Sequence, residues 1–337
     1  MNTDLLPIIW FLILCLEIGL YILLDGADLG LGMLSLLPQE QEKRSLIMRT
    51  LGPIWDANET WLVIAGGTLF GAFPLVYSVV LNALYLPVML ILFGLIVRAV
   101  SFEFREHAAN IRFWEIAFGV GSLLAVLGQG FAAGGLLSGI RISGGQFSGG
   151  MLDWATPLTF FMTVGVVTSY AVVGYAYLIK KADYELTNQS FFRVILAAGI
   201  SFAGFFAATL LLPQLHALLL ERWTTPPTNY LLFIVAGLIA LVSSFLIYDA
   251  LKKRHAEHLH TLCMCIFVLS FIGILIGIYP YVVPPSITIF DAAASPATLQ
   301  FMLWGIGPLL PIVLAYNWYM YRVFRRELHH EEHAEGY

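Results

Sequence analysis

Ionisable side chains are scarce in this sequence, and the ones set inside apolar stretches are those that could do chemistry. The stretch L-G-P-I-W-D-A-N-E-T-W-L-V-I-A-G-G-T-L-F-G-A-F-P, Leu51 to Pro74, opens with Asp56, Asn58, Glu59 and Thr60 between Trp55 and Trp61, then turns apolar and glycine-rich. Ile54 to Phe73 is 20 residues (54 through 73), about 30 Å of helix and the thickness of a bilayer core. Asp56 and Glu59 therefore fall in the first turns of a membrane helix, where a carboxylate is costly and faces a cavity, a partner or a proton path. The plainer reading of Asp56 is a helix cap. The preceding apolar block adds Glu17, Asp25 and Asp28. Asp25 and Asp28 are three apart and share a helix face, and Gly26, Gly30 and Gly32 let a neighbouring helix approach it closely. Asp28 could simply mark that interface. A third apolar block ends in L-I-V-R-A-V-S-F-E-F-R, with Arg98 and Glu103 five apart. Arg98 either snorkels to the interface or pairs with a carboxylate of the first two blocks.

The elements that position these groups follow from composition. Of the 337 residues 59% are hydrophobic and 12% charged, and mean hydropathy is +0.82, far from soluble averages. The apolar residues fall in unbroken blocks of about 20, not in the short alternating runs of an outer-membrane barrel. The chain reads as all-α and polytopic, with about nine transmembrane helices near 8–36, 54–74, 76–100, 115–137, 155–179, 194–219, 229–250, 262–283 and 299–323. Residues 1–323 form one integral-membrane domain, followed by a polar tail, 324–337. Lys43, Arg44, Arg49, Arg98, Arg105, Arg112, Lys180, Lys181, Arg193, Lys252, Lys253, Arg254, Arg322, Arg325 and Arg326 all fall on one side, against Arg141 and Arg222 on the other. The positive-inside rule then puts the N-terminus outside and the C-terminus in the cytoplasm. Span one descends and span two rises, so Asp25, Asp28 and Asp56 gather in the cytoplasmic half, a grouping expected of a proton or cation entry. Asp56, nearest the mouth and beside Glu59, is the acid expected to matter most.

The rest of the chain narrows the chemistry. A segment with nine glycines from Gly128 to Gly150 reads as an external loop, and Pro280, Pro284 and Pro285 should break span eight at the outer face. Asp291 is placed to cap a short interfacial helix. Cys15, Cys263 and Cys265 lie in apolar segments and indicate neither a disulfide framework nor a zinc site. His107, His255, His258, His260, His329, His330 and His333 fall in cytoplasmic loops or the tail, and His216 near an outer end, so no histidine stands where a membrane haem takes its iron ligand. No Walker A sequence, strand-borne dinucleotide fingerprint or cationic patch for nucleic acid is present.

The motifs D-G-A-D-L-G-L-G-M-L (Asp25–Leu34), G-P-I-W-D-A-N-E-T-W-L (Gly52–Leu62) and G-G-T-L-F-G-A-F-P (Gly66–Pro74) resemble those of subunit II of the cytochrome bd quinol oxidases. R-A-V-S-F-E-F-R (Arg98 to Arg105), Y-P-Y-V-V-P-P-S (Tyr279 to Ser286), the segment from Asp291 to Ser295 and P-L-L-P-I-V-L-A-Y (Pro308 to Tyr316) continue the likeness in order. The resemblance implies a bacterial or archaeal plasma-membrane heterodimer with a larger subunit I, reducing O2 to water with electrons from quinol. It implies two haems b and one haem d, ligated by subunit I, with small single-helix subunits, bound lipid and a structural quinone in some members. It further implies that Asp25 and Asp56, with Asp28 adjacent, guide protons from the cytoplasm. Glu17 and Glu59 join these acids as candidates for the proton path, although Glu17 is not part of that motif and Glu59 stands where some members have a neutral residue. Trp55, Asn58, Trp61, Arg98 and Glu103 are read as structural or interface residues. A proton- or cation-coupled secondary transporter is the competing class, opposed by the lack of an inverted repeat; a purely structural subunit is the third reading.

Overall fold

The computed structural model of the chain describes residues 5–37, 44, 45, 47, 48, 51, 55–181, 188–251 and 256–324. Of the residues named above, Lys43, Arg49, Lys252, Lys253, Arg254, His255, Arg325, Arg326 and the polar tail with its histidines lie outside the described residues.

Proline, glycine and apolar content set the elements in order. They are α1 (Leu5–Leu34), α2 (Trp55–Ala72), α3 (Pro74–Ala83), α4 (Tyr85–Arg105), α5 (Ile111–Ser138), the hairpin β1 (Ile142–Ser143) and β2 (Gln146–Phe147), α6 (Pro157–Lys181) and α7 (Asn188–Leu215). They continue with α8 (Ala217–Thr224), α9 (Thr228–Leu251), α10 (Ala256–Ile278), the hairpin β3 (Tyr281–Val283) and β4 (Ile287–Thr288), α11 (Ile289–Ala292) and α12 (Pro296–Phe324). Among the described residues eight helices are long and apolar enough to cross a bilayer, and α2 joined to α3 across a 120° bend raises the count to nine. The fold is that of a polytopic all-α membrane protein.

Two local expectations are corrected. The block at 76–100 is not one span. Pro74, in the first turn of α3, has no N–H to continue α2, and the non-helical backbone at Leu84 separates α3 from α4. The glycine-rich segment is not all loop, because α5 runs on to Ser138 and carries Gly128, Gly130, Gly134 and Gly135. A Cβ on Gly128 would lie 2.7 Å from the Pro87 carbonyl oxygen of α4, and one on Gly130 2.7 Å from Thr163 of α6. These glycines serve close helix packing. Only from Gly139, at φ +91°, does the chain leave the helix. On the same side of the molecule Thr288 and Asp291 form a capping box that starts α11.

The helix bundle closes around α1, which packs against α2, α5 and α6. At the crossing of α1 and α6 the backbones touch: a Cβ on Gly30 would fall on the Tyr170 carbonyl oxygen, and one on Gly174 would lie 2.5 Å from Leu31 N. No rotamer relieves such a clash, since the Cβ itself collides with backbone. Gly30→Ala is therefore expected to destabilise by about 1–3 kcal/mol, the usual range for overpacking. Gly237 meets nothing within 4 Å, so Gly237→Ala should be neutral or stabilising by about 0.5–1 kcal/mol through helix propensity. Thermal unfolding of the two variants in detergent checks the contrast; equal melting temperatures would deny a structural role to the α1–α6 contact.

Candidate functional site

The polar residues of α1 recur at positions 17, 21, 25 and 28, every third or fourth residue, so they line one helix face. Glu17, Tyr21, Asp25 and Asp28 are all buried, and the row runs about 16 Å along the axis. Antiparallel α2 brings Asn58 and Glu59 against its lower part. Arg98 arrives on α4, which lies so close to α5 that a Cβ on Gly121 would be 2.8 Å from Arg98 N. Small residues at that crossing are what let a long arginine sit at depth instead of at the membrane edge.

Arg98 is completely buried and is the hub of the site. Its Nη1 donates to Asp25 Oδ1 at 2.6 Å and lies 3.3 Å from Glu59 Oε1, while Nη2 is 3.8 Å from Asp28 Oδ2. Asn58 Nδ2 donates to that same Asp28 oxygen at 2.7 Å. The Trp55 ring lies 6.0 Å from the guanidinium carbon and stacks on Phe102, centroids 5.6 Å apart, adding a cation–π attraction. Three carboxyl groups from two helices thus converge on one guanidinium from a third. Burying an ion pair is worth little unless both charges are well paired and hydrogen-bonded. Asp25 Oδ2, Arg98 Nε and Arg98 Nη2 have no hydrogen-bond partner among the described residues. Glu59 is the most exposed member of the cluster, with 18% of its side chain exposed against 2% or less for Asp25, Asp28 and Arg98.

The other singled-out residues fall outside the cluster. Asp56 is exposed at the start of α2, and Glu103 is exposed at the end of α4; neither makes a salt bridge among the described residues. Trp61 is fully buried. Glu17 sits eight residues above Asp25, where Thr68 Oγ1 of α2 donates to its Oε1 at 3.0 Å. Several polar residues were not expected. Gln129 Nε2 donates to the Tyr21 hydroxyl at 2.8 Å and the Tyr170 hydroxyl donates to Gln129 Oε1 at 2.8 Å, bridging α1, α5 and α6 beside Asp25. The signal for Tyr21 was its position, one turn from both Glu17 and Asp25. Nearer the helix ends Glu115 is buried, with Arg105 Nη2 and Ser45 Oγ donating to its Oε1 at 3.0 and 2.9 Å. That group fastens the segment after α1 to α4 and α5.

Among the described residues no group of three or more His, Cys, Asp or Glu is arranged to hold a metal ion. His216 is buried, and its Nε2 is already engaged with the Leu137 carbonyl oxygen at 2.9 Å.

Comparison with known proteins places this architecture. The family model described as cytochrome bd terminal oxidase subunit II matches residues 6–324. The chain is 24% identical to the cytochrome bd-I ubiquinol oxidase subunit 2 of Escherichia coli strain K12, covering 96% of each. It is also 24% identical to the cytochrome bd ubiquinol oxidase subunit 2 of Bacillus subtilis strain 168, over 96% of this chain and 97% of that one. Among solved structures it superposes on a chain of the bd oxidase from Geobacillus thermodenitrificans with a TM-score of 0.73 at 20% identity, covering 95% of this chain and 98% of that one.

Proposed function

This chain belongs to the cytochrome bd terminal oxidase subunit II family, and from that premise we propose that the Arg98-centred cluster is the place where it takes protons toward oxygen reduction. The protein is a subunit of a quinol:O2 oxidoreductase and a multi-pass protein of the bacterial plasma membrane. Its complex contains haem, includes a subunit I partner and acts on quinol and O2.

The observation that carries the proton reading is the charge count at Arg98. Three carboxyl groups each place an oxygen within 4 Å of the one guanidinium. Full ionisation would leave two uncompensated negative charges at membrane depth, which a low-dielectric site does not tolerate. The cluster reaches neutrality by holding protons, up to two of them, on oxygens shared around one cation. A proton can then move between Asp25, Asp28 and Glu59 while Arg98 keeps the total charge fixed. Partly exposed Glu59 is the exchange point, and Asp56, three residues before it on α2, stands at the mouth. The fifteen basic residues on one side support a cytoplasmic mouth, an outside N-terminus and a cytoplasmic C-terminus.

The partner's place and the haems follow the same reading. Thr60, Val63, Gly66, Gly67 and Phe70 form the exposed stripe of α2 beyond its first turn. Polar groups and bare glycines are poor lipid-facing residues, so this is the face we assign to subunit I. Membership of the family supports two haems b and one haem d ligated by subunit I. When bound, they supply electron transfer and the reduction of O2; this chain supplies the route for protons.

The test compares two neighbouring acids in the assembled complex. Glu59→Gln should cut quinol-driven oxygen consumption by about tenfold or more, the scale of losing a proton-transfer group. Asp56→Asn should change it less than about twofold, because water can replace an exposed acid. Equal and normal turnover in both variants would favour a structural subunit. A larger loss at Asp56 would move the entry off the Arg98 cluster.

A further inference from the structure

We propose that Tyr21 is a positioning residue for Asp25: its hydroxyl, turned by Gln129, donates to the Asp25 carboxylate whenever Asp25 is the ionised member of the Arg98 cluster. The proposal rests on the reading of that cluster as a proton entry, and adds to it residues of α5 and α6.

Tyr21 stands one turn before Asp25 on the same face of α1, about 6 Å along the axis. Its side chain is buried, and the charged groups around its hydroxyl are Asp25, Arg98 and Glu59. The hydroxyl faces the Asp25 carboxyl. Arg98 Nη1 occupies Asp25 Oδ1 at 2.6 Å, while Asp25 Oδ2 is left open. A buried carboxylate held through one oxygen is half satisfied. Tyr21 is the hydroxyl placed to fill the other.

Donor and acceptor rules then fix the direction of the whole row. A carboxylate can only accept, so the Tyr21 hydrogen turns to Asp25 and the Tyr21 oxygen is left to accept. Gln129 Nε2 supplies that bond at 2.8 Å, and Gln129 Oε1 accepts in turn from the Tyr170 hydroxyl at 2.8 Å. Each donor in the row Tyr170, Gln129, Tyr21 therefore points toward Asp25, and bonds aligned in one direction strengthen one another. Gly26 seats the row. A Cβ there would lie 3.1 Å from Tyr170 Cε1, so the bare glycine lets the Tyr170 ring rest against α1. A bridge that only tied three helices together would be complete with the two bonds of Gln129. The Tyr21 hydrogen is left for Asp25.

The step it serves balances without Tyr21 losing its own proton. As Asp25 passes its proton to Asp28 or Glu59, that acid becomes neutral and Asp25 becomes the carboxylate. Arg98 and Tyr21 then both donate to it. Without the hydroxyl this arrangement has one donor fewer, and exchange within the cluster slows.

The experiment uses the haem-loaded complex with three variants: Tyr21→Phe, Gln129→Met and Asp25→Asn. Phenylalanine keeps the ring and its packing, so a Tyr21 that merely fills space predicts no change. The protonated-carboxyl C=O band missing from the redox-induced infrared difference spectrum of Asp25→Asn identifies Asp25. We expect Tyr21→Phe to assemble with an unaltered haem spectrum and to slow oxygen consumption by about tenfold, the scale of one hydrogen bond to a charged group. The Asp25 band should move to higher frequency, as a carbonyl does on losing a donor. Gln129→Met should move the same band by less, because it frees the hydroxyl to rotate without removing it, and it keeps the test open should Tyr21→Phe not assemble. An Asp25 band unmoved in both variants, beside a slow Asp25→Asn, would overturn this proposal and leave the entry reading standing. Normal turnover in both Tyr21→Phe and Asp25→Asn would overturn both.

Discussion

Arg98→Leu is expected to abolish accumulation of the assembled complex, not merely to slow it. The guanidinium is completely buried and is the cation found within 4 Å of Asp25, Asp28 and Glu59. Removing one partner of a buried ion pair typically costs about 3–5 kcal/mol because the charge left behind is uncompensated, and here three acids lose their common partner. That is a large share of the stability of an ordinary protein. Arg98→Lys should fare better but not well. A lysine carries the charge, but as a single point on a flexible stem. It cannot reach Asp25 and Glu59 with one nitrogen and Asp28 with another. The expected order of complex recovered from membranes is wild type, then Arg98→Lys, then Arg98→Leu near zero. Equal recovery of all three would show that the acids are neutral without Arg98 and that the charge argument is wrong.

The second large effect is expected at Asp25, where assembly and turnover should separate. Asp25→Asn keeps the shape and an oxygen that can accept from Arg98 Nη1, so the contact now 2.6 Å long survives in weakened form. It removes the carboxyl proton that the route needs. Oxygen consumption should fall by about tenfold to a hundredfold, the scale of losing a positioned acid–base group, while the haem spectrum of the purified complex stays unchanged. Asp28→Asn should fall less, since Asp28 Oδ2 is 3.8 Å from Arg98 and is held mainly by Asn58 at 2.7 Å. Full turnover in an assembled Asp25→Asn complex would make Asp25 a structural counter-ion.

The helices were legible because a bilayer imposes one period and one length on apolar blocks. The breaks were less so. Hydropathy does not register a turn made of apolar residues, and that is why the break at Leu84 hid inside the single span expected at 76–100. Glycine is ambiguous in the same way. It marks loops at Gly139, Gly144 and Gly145, where φ is positive, but helix contact at Gly30 and Gly121. The grouping of Asp25 and Asp28 could be read from their spacing on one helix. The place of Arg98 could not, because snorkelling and pairing draw on the same long side chain and only the approach of α4 to α5 decides between them. Asp56 and Glu59 show the limit most clearly. They are three residues apart, yet one is exposed and the other reaches Arg98, a difference set by the rotation of α2 against α1. Tyr21 was legible only from its place one turn from Glu17 and Asp25, whereas Gln129 and Tyr170 went unremarked because an uncharged polar residue in an apolar block carries no signal until its partners are placed.

The most direct test is proton uptake itself. The wild-type and Asp25→Asn complexes would each be reconstituted into lipid vesicles, reduced, and exposed to O2 while a pH indicator reports protons taken from the side bearing the α1–α2 connection. The account predicts that O2 binding to the haem proceeds at the wild-type rate in both, and that proton uptake from that side slows by about tenfold or more in Asp25→Asn. Proton uptake at the wild-type rate in an assembled Asp25→Asn complex would contradict it.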